Sequence, residues 1–507
     1  MDMKNKKLLY IALICGGLTF PACDFYDVNE DPNNITQARV SEILPSATVN
    51  IGYMGASDLM RYSNLIMQQF SGHGPVLNNT FTNYERYFIT DSDVNNNWNN
   101  IYADILADLE QLIVISTEQE SPHYTGVAKI LKAYTYQVTV DAWGDVPYSE
   151  ATKFGEVLYP EYDDDAAIYP KLLALLDEGI ADINAESSVL EPTAYSTFYP
   201  NTSWEASRVQ WERLANTLKL RLLIHYSEVD PGFASQQITA LVNSGAQFMQ
   251  STDDNFEMMF LDQSQRQNPI TSIEGGQFRN QFFPNEFIVD LMNEREDPRR
   301  ASYFVSFPFN SGNYKGSTIL DEAPSTKYSR LHSYIKGTPS AVNQAGVNPD
   351  GSIEGSAITY GGDAPSRLLL YSEYNFIRAE ASLRFGAPGD AETFFKEGIR
   401  ASMEDAGVPE AEAAAYIARY GTLTGSQEAK LEQIINQKYI ANFGVMMENW
   451  TDWRRTGYPN IKPIPAPLAI YNEVPRSLFY PVSEVTSNPN IDQKESMLER
   501  VFWDVRQ

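Results

Sequence analysis

Apolar residues recur at helical spacing in five windows of the chain. Val127, Ile130, Leu131, Tyr134, Val138 and Ala142 fall on one face of a 3.6-residue repeat, and Ile168, Leu172, Leu176, Ile180 and Ile183 on another. Trp211, Leu214, Ala215, Leu218, Leu222 and Tyr226 make a third stripe, Leu369, Phe376 and Leu383 a fourth, and Leu431, Ile435, Tyr439 and Phe443 a fifth. The pattern predicts a mainly α-helical protein. Leu368 to Phe385, a turn at Gly386-Ala387-Pro388-Gly389, and Ala391 to Ala406 form a helical hairpin about as long as one TPR unit. The small residues Ala379, Ala381, Gly386 and Ala391 suit the close approach of its two helices.

Helix ends are also marked. Gly144-Asp145-Val146-Pro147 ends a helix and turns the chain, since glycine and proline both break helices, and Asp163-Asp164-Asp165 ahead of Ile168 suits the positive end of the next one. Between helices run long irregular segments rich in Gly, Asn, Ser, Pro and aromatics: Ser71 to Asn100, Val189 to Ser207, Asp262 to Pro284 and Phe307 to Ala364. Segments of this length without regular structure are usually functional, so a binding site is expected in them.

Composition narrows the class. With 507 residues, 43% hydrophobic and 12% aromatic, the chain can bury a large core. A formal charge of −28 repels nucleic-acid phosphates over most of the surface. The only cysteines are Cys15 and Cys23, too few for a disulfide framework or a thiolate metal site. Lys4, Lys6 and Lys7 precede the apolar run Leu8 to Leu18, which is too short to span a bilayer, so Met1 to Ala22 reads as a secretory leader. Phe20-Pro21-Ala22-Cys23 resembles a lipobox, in which the cysteine becomes the acylated first residue of the mature chain. The competing reading is an ordinary signal peptide followed by a stray thiol. Residues 1–22 are thus expected to be a lipoprotein signal, 23–40 a lipidated tether, and 41–507 the folded body. Two or three acyl chains on Cys23, at about 0.8 kcal/mol per buried CH₂, make a firm anchor for a body with no apolar stretch of about 18 residues.

Familiar catalytic signatures are missing. His73, His123, His225 and His332 are scattered with no close ligand pair, and there is no GxSxG elbow, GxGxxG or P-loop, so neither a metal site nor a cofactor is expected. Asp91, Asp93, Asn95 and Asn97 imitate the start of a calcium loop, but Asn96 and Tyr102 stand where that loop needs Gly and Glu, which favours a solvated helix start. A glycosidase needs only two suitably placed carboxylates, and among 66 acidic residues no pair is singled out by spacing.

Blocks spread along the chain carry a family likeness. They include Asp27-Val28-Asn29-Glu30-Asp31-Pro32-Asn33, Gly126 to Tyr134, Trp143-Gly144-Asp145-Val146-Pro147-Tyr148 with Ser149-Glu150-Ala151, and Trp211 with Leu214 to Leu222. Further blocks are Asp297-Pro298-Arg299, Tyr374 to Ala381, Gln437 to Ile440, Trp450 to Pro459, and Tyr480-Pro481 with Glu484 and Asn488-Pro489. In this order they resemble the SusD/RagB family of surface nutrient-binding lipoproteins. The resemblance implies a single α-helical domain with four TPR-like helix pairs as scaffold and ligand held by loops. It also implies a partner, a TonB-dependent outer-membrane barrel of the SusC type, and a non-catalytic protein that hands glycan to that barrel.

A sugar ring has an apolar face and a rim of hydroxyls, so its site calls for flat aromatics beside amide, carboxylate or guanidinium groups. Three loop clusters offer them. Tyr195, Phe198, Tyr199 and Trp204 occur with Asn201 and Glu205; Tyr84, Arg86 and Tyr87 with Asn78, Asn79 and Asn83; Gln277 and Phe278 with Arg279 and Asn280. Trp204, Tyr199, Tyr195, Phe278, Gln277, Arg86 and Tyr84 are the expected ligand contacts, with Trp204 preferred for stacking because it lies outside the helical stripes and the family blocks. Each cluster is equally able to be a loop anchoring itself. Trp143, Trp211, Trp450 and Trp453 are expected in the core, and Arg454 and Arg455 beside aromatic rings or an internal carboxylate. The loops suit peptide as well as glycan. A scaffold that binds only protein is the remaining alternative.

Overall fold

The structure, a computed structural model, describes residues 39–506 except 75–78, 154, 193–196, 277 and 279–280. The leader, Cys23 and all but the last two residues of the tether, together with Tyr195 and Gln277, lie outside the described residues.

Helices make the frame. In chain order its main members are α1 (Val40–Met54), α2 (Asp58–Ile66), α3 (Thr80–Glu85), α4 (Ala107–Glu118), α5 (Pro122–Trp143), α6 (Asp165–Ile183), α7 (Trp204–His225) and α8 (Pro231–Asn243). Then follow α9 (Tyr371–Phe385), α10 (Ala391–Asp405), α11 (Glu410–Tyr420), α12 (Gln427–Ala441), α13 (Glu448–Thr456) and α14 (Val482–Ser487). Their ends obey local chemistry. Pro122 sits in the first turn of α5, Asp164 caps α6 by accepting from the Ala167 amide at 3.0 Å, and Asp390 caps α10 from the Thr393 amide at 2.8 Å. Gly144 ends α5 at φ +79°, and Gly386 ends α9 in the left-handed region at +66°.

Successive helices fold back on one another: α4 packs on α5, α5 on α6, α6 on α7, and α9 on α10 and α12, with α7 joining the two groups through α9. The α5–α6 crossing is unusually close, because a Cβ on Gly126 would meet the Gly179 carbonyl at 2.6 Å. Eight short strands pair antiparallel in twos: β1 (Phe70–Ser71) with β3 (Phe283–Pro284), β2 (Phe256–Met258) with β8 (Ser366–Leu369), β4 (Phe304–Val305) with β5 (Arg330–Leu331), and β6 (Pro339–Val342) with β7 (Ile358–Tyr360).

Two sequence expectations need correction. Leu368 and Leu369 belong to β8, Phe256 standing opposite Leu369, so the hairpin helix starts only at Tyr371. α12 stops at Ala441, and Phe443 lies beyond it, stacked on Tyr303 at 4.7 Å. In both places an apolar residue of helical spacing finds its burial in non-helical backbone.

The frame is pinned by buried charge. Arg221 of α7 meets Glu373 of α9 at 2.7 Å, Lys438 of α12 meets Glu448 and Asp452 of α13 at 2.7 and 2.9 Å, and Arg455 meets Glu380 and Asp452 at 2.6 Å each. Burial pushes the Glu380 carboxyl up, but Arg455 outweighs it and holds the group down at about 2. Arg454 lies over Trp450 at 4.3 Å and over Trp503 at 4.6 Å, as its aromatic neighbours suggest. Trp503 is itself buried, and its indole donates to Asp141 of α5 at 3.1 Å across 362 residues of chain.

Candidate functional site

Three of the four long irregular segments converge on one seam, built outward from β1 and β3. Asn285 donates its amide to the Gln69 carbonyl at 3.0 Å, and the next strand of chain joins through Ser317 N to Pro284 O at 3.0 Å and Glu286 N to Ser317 O at 3.1 Å. Gly74 donates to the Thr318 carbonyl at 3.0 Å; here glycine is required, since a Cβ would stand 2.3 Å from the Asp321 carbonyl.

Glu85, the last residue of α3, fastens this seam. Its carboxylate accepts from the Ser71 hydroxyl at 2.9 Å, the Gly72 amide at 2.7 Å and the Asn285 side-chain amide at 3.2 Å, while the Ile319 backbone also bonds to it. One side chain thus ties segments 71–100 and 307–364 to Asn285, the residue directly after segment 262–284. At 1% exposure, burial pushes its pKa up to about 8 despite those donors.

Around Glu85 lies mixed aromatic and polar chemistry. His73 bonds the Ser317 hydroxyl at 2.8 Å and faces the Tyr328 ring at 5.0 Å; burial keeps its pKa below the ordinary value, so it is neutral at pH 7. The Lys315 ammonium stands 4.3 Å over Tyr328, whose hydroxyl lies beside Asp321 and whose pKa is pushed up to about 12, first by burial and then by Asp321. Lys315, Glu286 and Leu320 are exposed along the edge of the seam. Flat rings, an ammonium and carboxylates at one place can hold a polyhydroxylated ring through its apolar face and its hydroxyls.

The sequence candidates divide between this seam and another part of the frame. Phe278 meets Phe81 of α3 edge to face at 5.2 Å. Tyr84, also on α3, is buried and donates its hydroxyl to Asp93 at 2.9 Å; Arg86 follows it, donates to the Leu468 carbonyl and lies 5.0 Å from the exposed Phe88 ring. Tyr199 and Trp204 sit elsewhere. Tyr199 is buried, donates to the Asp254 carbonyl at 2.8 Å and packs on Trp211. Trp204 does not lie in a loop: it opens α7, is 6% exposed, and stacks on His123 of α5 at 4.7 Å. The reason is register, for Trp204 stands seven residues, two helical turns, ahead of Trp211 and so continues that stripe.

His73, Glu85, Lys315, Asp321 and Tyr328 did not stand out in sequence. Only Glu85 carried a signal: four residues beyond Phe81, it occupies the same helix face and is therefore drawn inward.

Among the described residues one trio of carboxylates, Asp145, Asp164 and Asp165, lies within 4.8 Å. Its oxygens are engaged by backbone amides: Asp145 accepts from Asp165 at 2.9 Å, Asp164 from Ala167 at 3.0 Å, and Asp165 from Phe502 at 2.8 Å. These bonds tie the trio into the start of α6 and the chain around it. No described helix is long and apolar enough to cross a membrane.

Comparison with known proteins agrees with this architecture. The SusD-like family profile, described as starch-binding associating with outer membrane, matches residues 32–481. No curated protein matches the chain. Among solved structures, a chitin-binding protein is 24% identical, with a TM-score of 0.74 over 92% of this chain and 100% of that one. A chitin-binding SusD homolog from Flavobacterium johnsoniae is 21% identical, with a TM-score of 0.72 over 92% and 99%. A SusD-like protein from Bacteroides thetaiotaomicron is 22% identical, again with a TM-score of 0.72 over 92% and 99%.

Proposed function

From the premise that this chain belongs to the SusD-like family of starch-binding proteins associating with the outer membrane, we propose that it binds oligosaccharide without cleaving it and delivers it to a SusC-like TonB-dependent barrel. Cys23 carries the lipid anchor, residues 23–40 form the tether, and the body 41–507 stands at the cell surface. The observation that supports a binding role most directly is the convergence of three irregular segments on the seam fastened by Glu85.

Phe278 and Arg86, joined by Lys315, Glu286 and Asp321, are the ligand-facing groups in this reading, with Gln277 beside them in sequence. Tyr84 supports them from behind. Tyr199 and Trp204 are assigned to a second wall of the frame.

The bonding of Glu85 opposes a glycosidase. Glu85, whose carboxyl pKa is pushed up to about 8 by burial, has its oxygens taken up by loop donors, leaving it no route to a glycosidic oxygen. Its role is to hold loops.

Isothermal titration of the leader-free chain with chitin oligosaccharides, malto-oligosaccharides and a pool of short peptides tests the proposal. Saturable heat with a glycan and no release of reducing ends is the expected result. Heat from peptides alone transfers the reading to a peptide carrier, and turnover of glycan makes the protein a hydrolase. Silence with every ligand leaves a protein-binding scaffold.

A further inference from the structure

A second concavity lies away from the seam, where the chain after α5 meets α14. Its volume is about 350 Å³, and its walls include Trp98, Tyr102, Pro147, Tyr159 and Leu158, with Glu484 at the edge. Three observations set it apart from an ordinary surface dip.

The first is exposed apolar surface. Leu158 is 80% and Tyr159 49% exposed, side by side on one loop, where solvation alone would favour polar residues. The second is the wall. Trp98 packs against Tyr102 at 4.6 Å and lies nearly parallel to Tyr162 at 6.2 Å, which in turn meets Tyr480 edge on at 5.3 Å. Tyr102 projects from a π-helical stretch, Asn100–Leu106, a rare backbone form concentrated at functional sites, and its hydroxyl is fixed on the Pro147 carbonyl at 2.9 Å. The third is the charge. Among the described residues no lysine or arginine pairs with Glu484; its neighbours are neutral, the Asn488 amide bonded at 3.1 Å and the Tyr162 hydroxyl close by.

We propose that this pocket is a second ligand site, for an organic ammonium: a protonated amine carried on an apolar stem. Aromatic faces attract a cation through their quadrupoles, and a carboxylate lacking its own cation completes the match, while the apolar walls take the stem. The same chemistry occurs in a free alkylamine and in a lysine side chain. The site is distinct from the glycan reading, which it neither needs nor supports.

The test uses the leader-free chain and four probes followed by ligand-observed NMR and calorimetry: n-pentylammonium, its neutral counterpart pentan-1-ol, tetramethylammonium, and the tripeptide Gly-Lys-Gly. The pentylammonium ion should bind at least about tenfold more tightly than pentan-1-ol. Glu484→Gln should remove that preference, and Leu158→Ser should weaken both pentyl probes alike without changing the ratio. Leu158 is exposed, and Glu484→Gln keeps the shape of a half-buried side chain and an acceptor for Asn488, so the variants should melt with the parent. Binding by the free amines with none by Gly-Lys-Gly identifies a small-molecule source, and tighter binding by the tripeptide identifies a lysine side chain. Equal affinity for amine and alcohol, or a preference that survives Glu484→Gln, overturns the proposal, as does failure of every probe to bind.

Discussion

Glu85 shows how one side chain can hold a binding surface together and make it answer to pH. Its pKa in the fold, about 8, stands above the 4.5 of an unrestrained glutamate, so the folded state holds the proton more tightly than the unfolded chain does. Its contribution is therefore full below pH 4.5 and is lost as pH rises through about 8, at up to about 1.4 kcal/mol per pH unit. Thermal melts at several pH values should show a midpoint that declines across this window in the parent and declines less in Glu85→Gln. A parallel decline in both would place the titrating group elsewhere. Trp204 offers the opposite test. Because its ring is buried against His123, Trp204→Ala should cost about 3–5 kcal/mol in denaturant unfolding while leaving glycan affinity unchanged in the folded fraction. The Trp211 stripe, carried back two turns, reaches Trp204 and accounts for its burial.

The helices were the legible part of this chain. Stripes such as Val127 to Ala142 and Ile168 to Ile183 write their burial directly into spacing, and the caps at Gly144, Asp164 and Gly386 write the boundaries. The strand β8 was not legible, because Leu368 and Leu369 satisfy a helical repeat as well as a place in a pairing with β2, where Phe256 stands opposite Leu369 from 113 residues earlier (369 minus 256). The site was legible only as a set of segments. That three of them meet while Val189 to Ser207 goes elsewhere is decided by contacts such as Glu85 with Asn285, separated by 200 residues, for which no local pattern exists. Contacts between elements also predict what will break the frame. Gly126→Val should drive a side chain into the Gly179 backbone and lower stability by about 1–3 kcal/mol or more, read by circular dichroism on heating. Arg455→Ala leaves Glu380 and Asp452 buried with less compensation, and a loss of about 3–5 kcal/mol in urea titration is expected.

At the scale of the molecule, the proposed attachment rests on Cys23 in the chain's first segment, and no described helix is long and apolar enough to cross a membrane. The anchoring reading therefore predicts that Cys23→Ser moves the protein from the membrane to the soluble fraction, and that mass spectrometry of the parent finds acyl chains on the peptide beginning at Cys23. An unmodified thiol there would end that part of the proposal. The burial of Trp503 against Asp141 has a further bearing on when the interior is completed. Synthesis is vectorial, and α5 emerges 362 residues before the indole that completes its surroundings. Asp141 has nearer partners in Gln137 and Tyr169, and Trp503 adds the distant one. The surroundings of α5 are therefore closed by a residue translated long after the helix itself, and their packing is a product of the whole chain rather than of its first third.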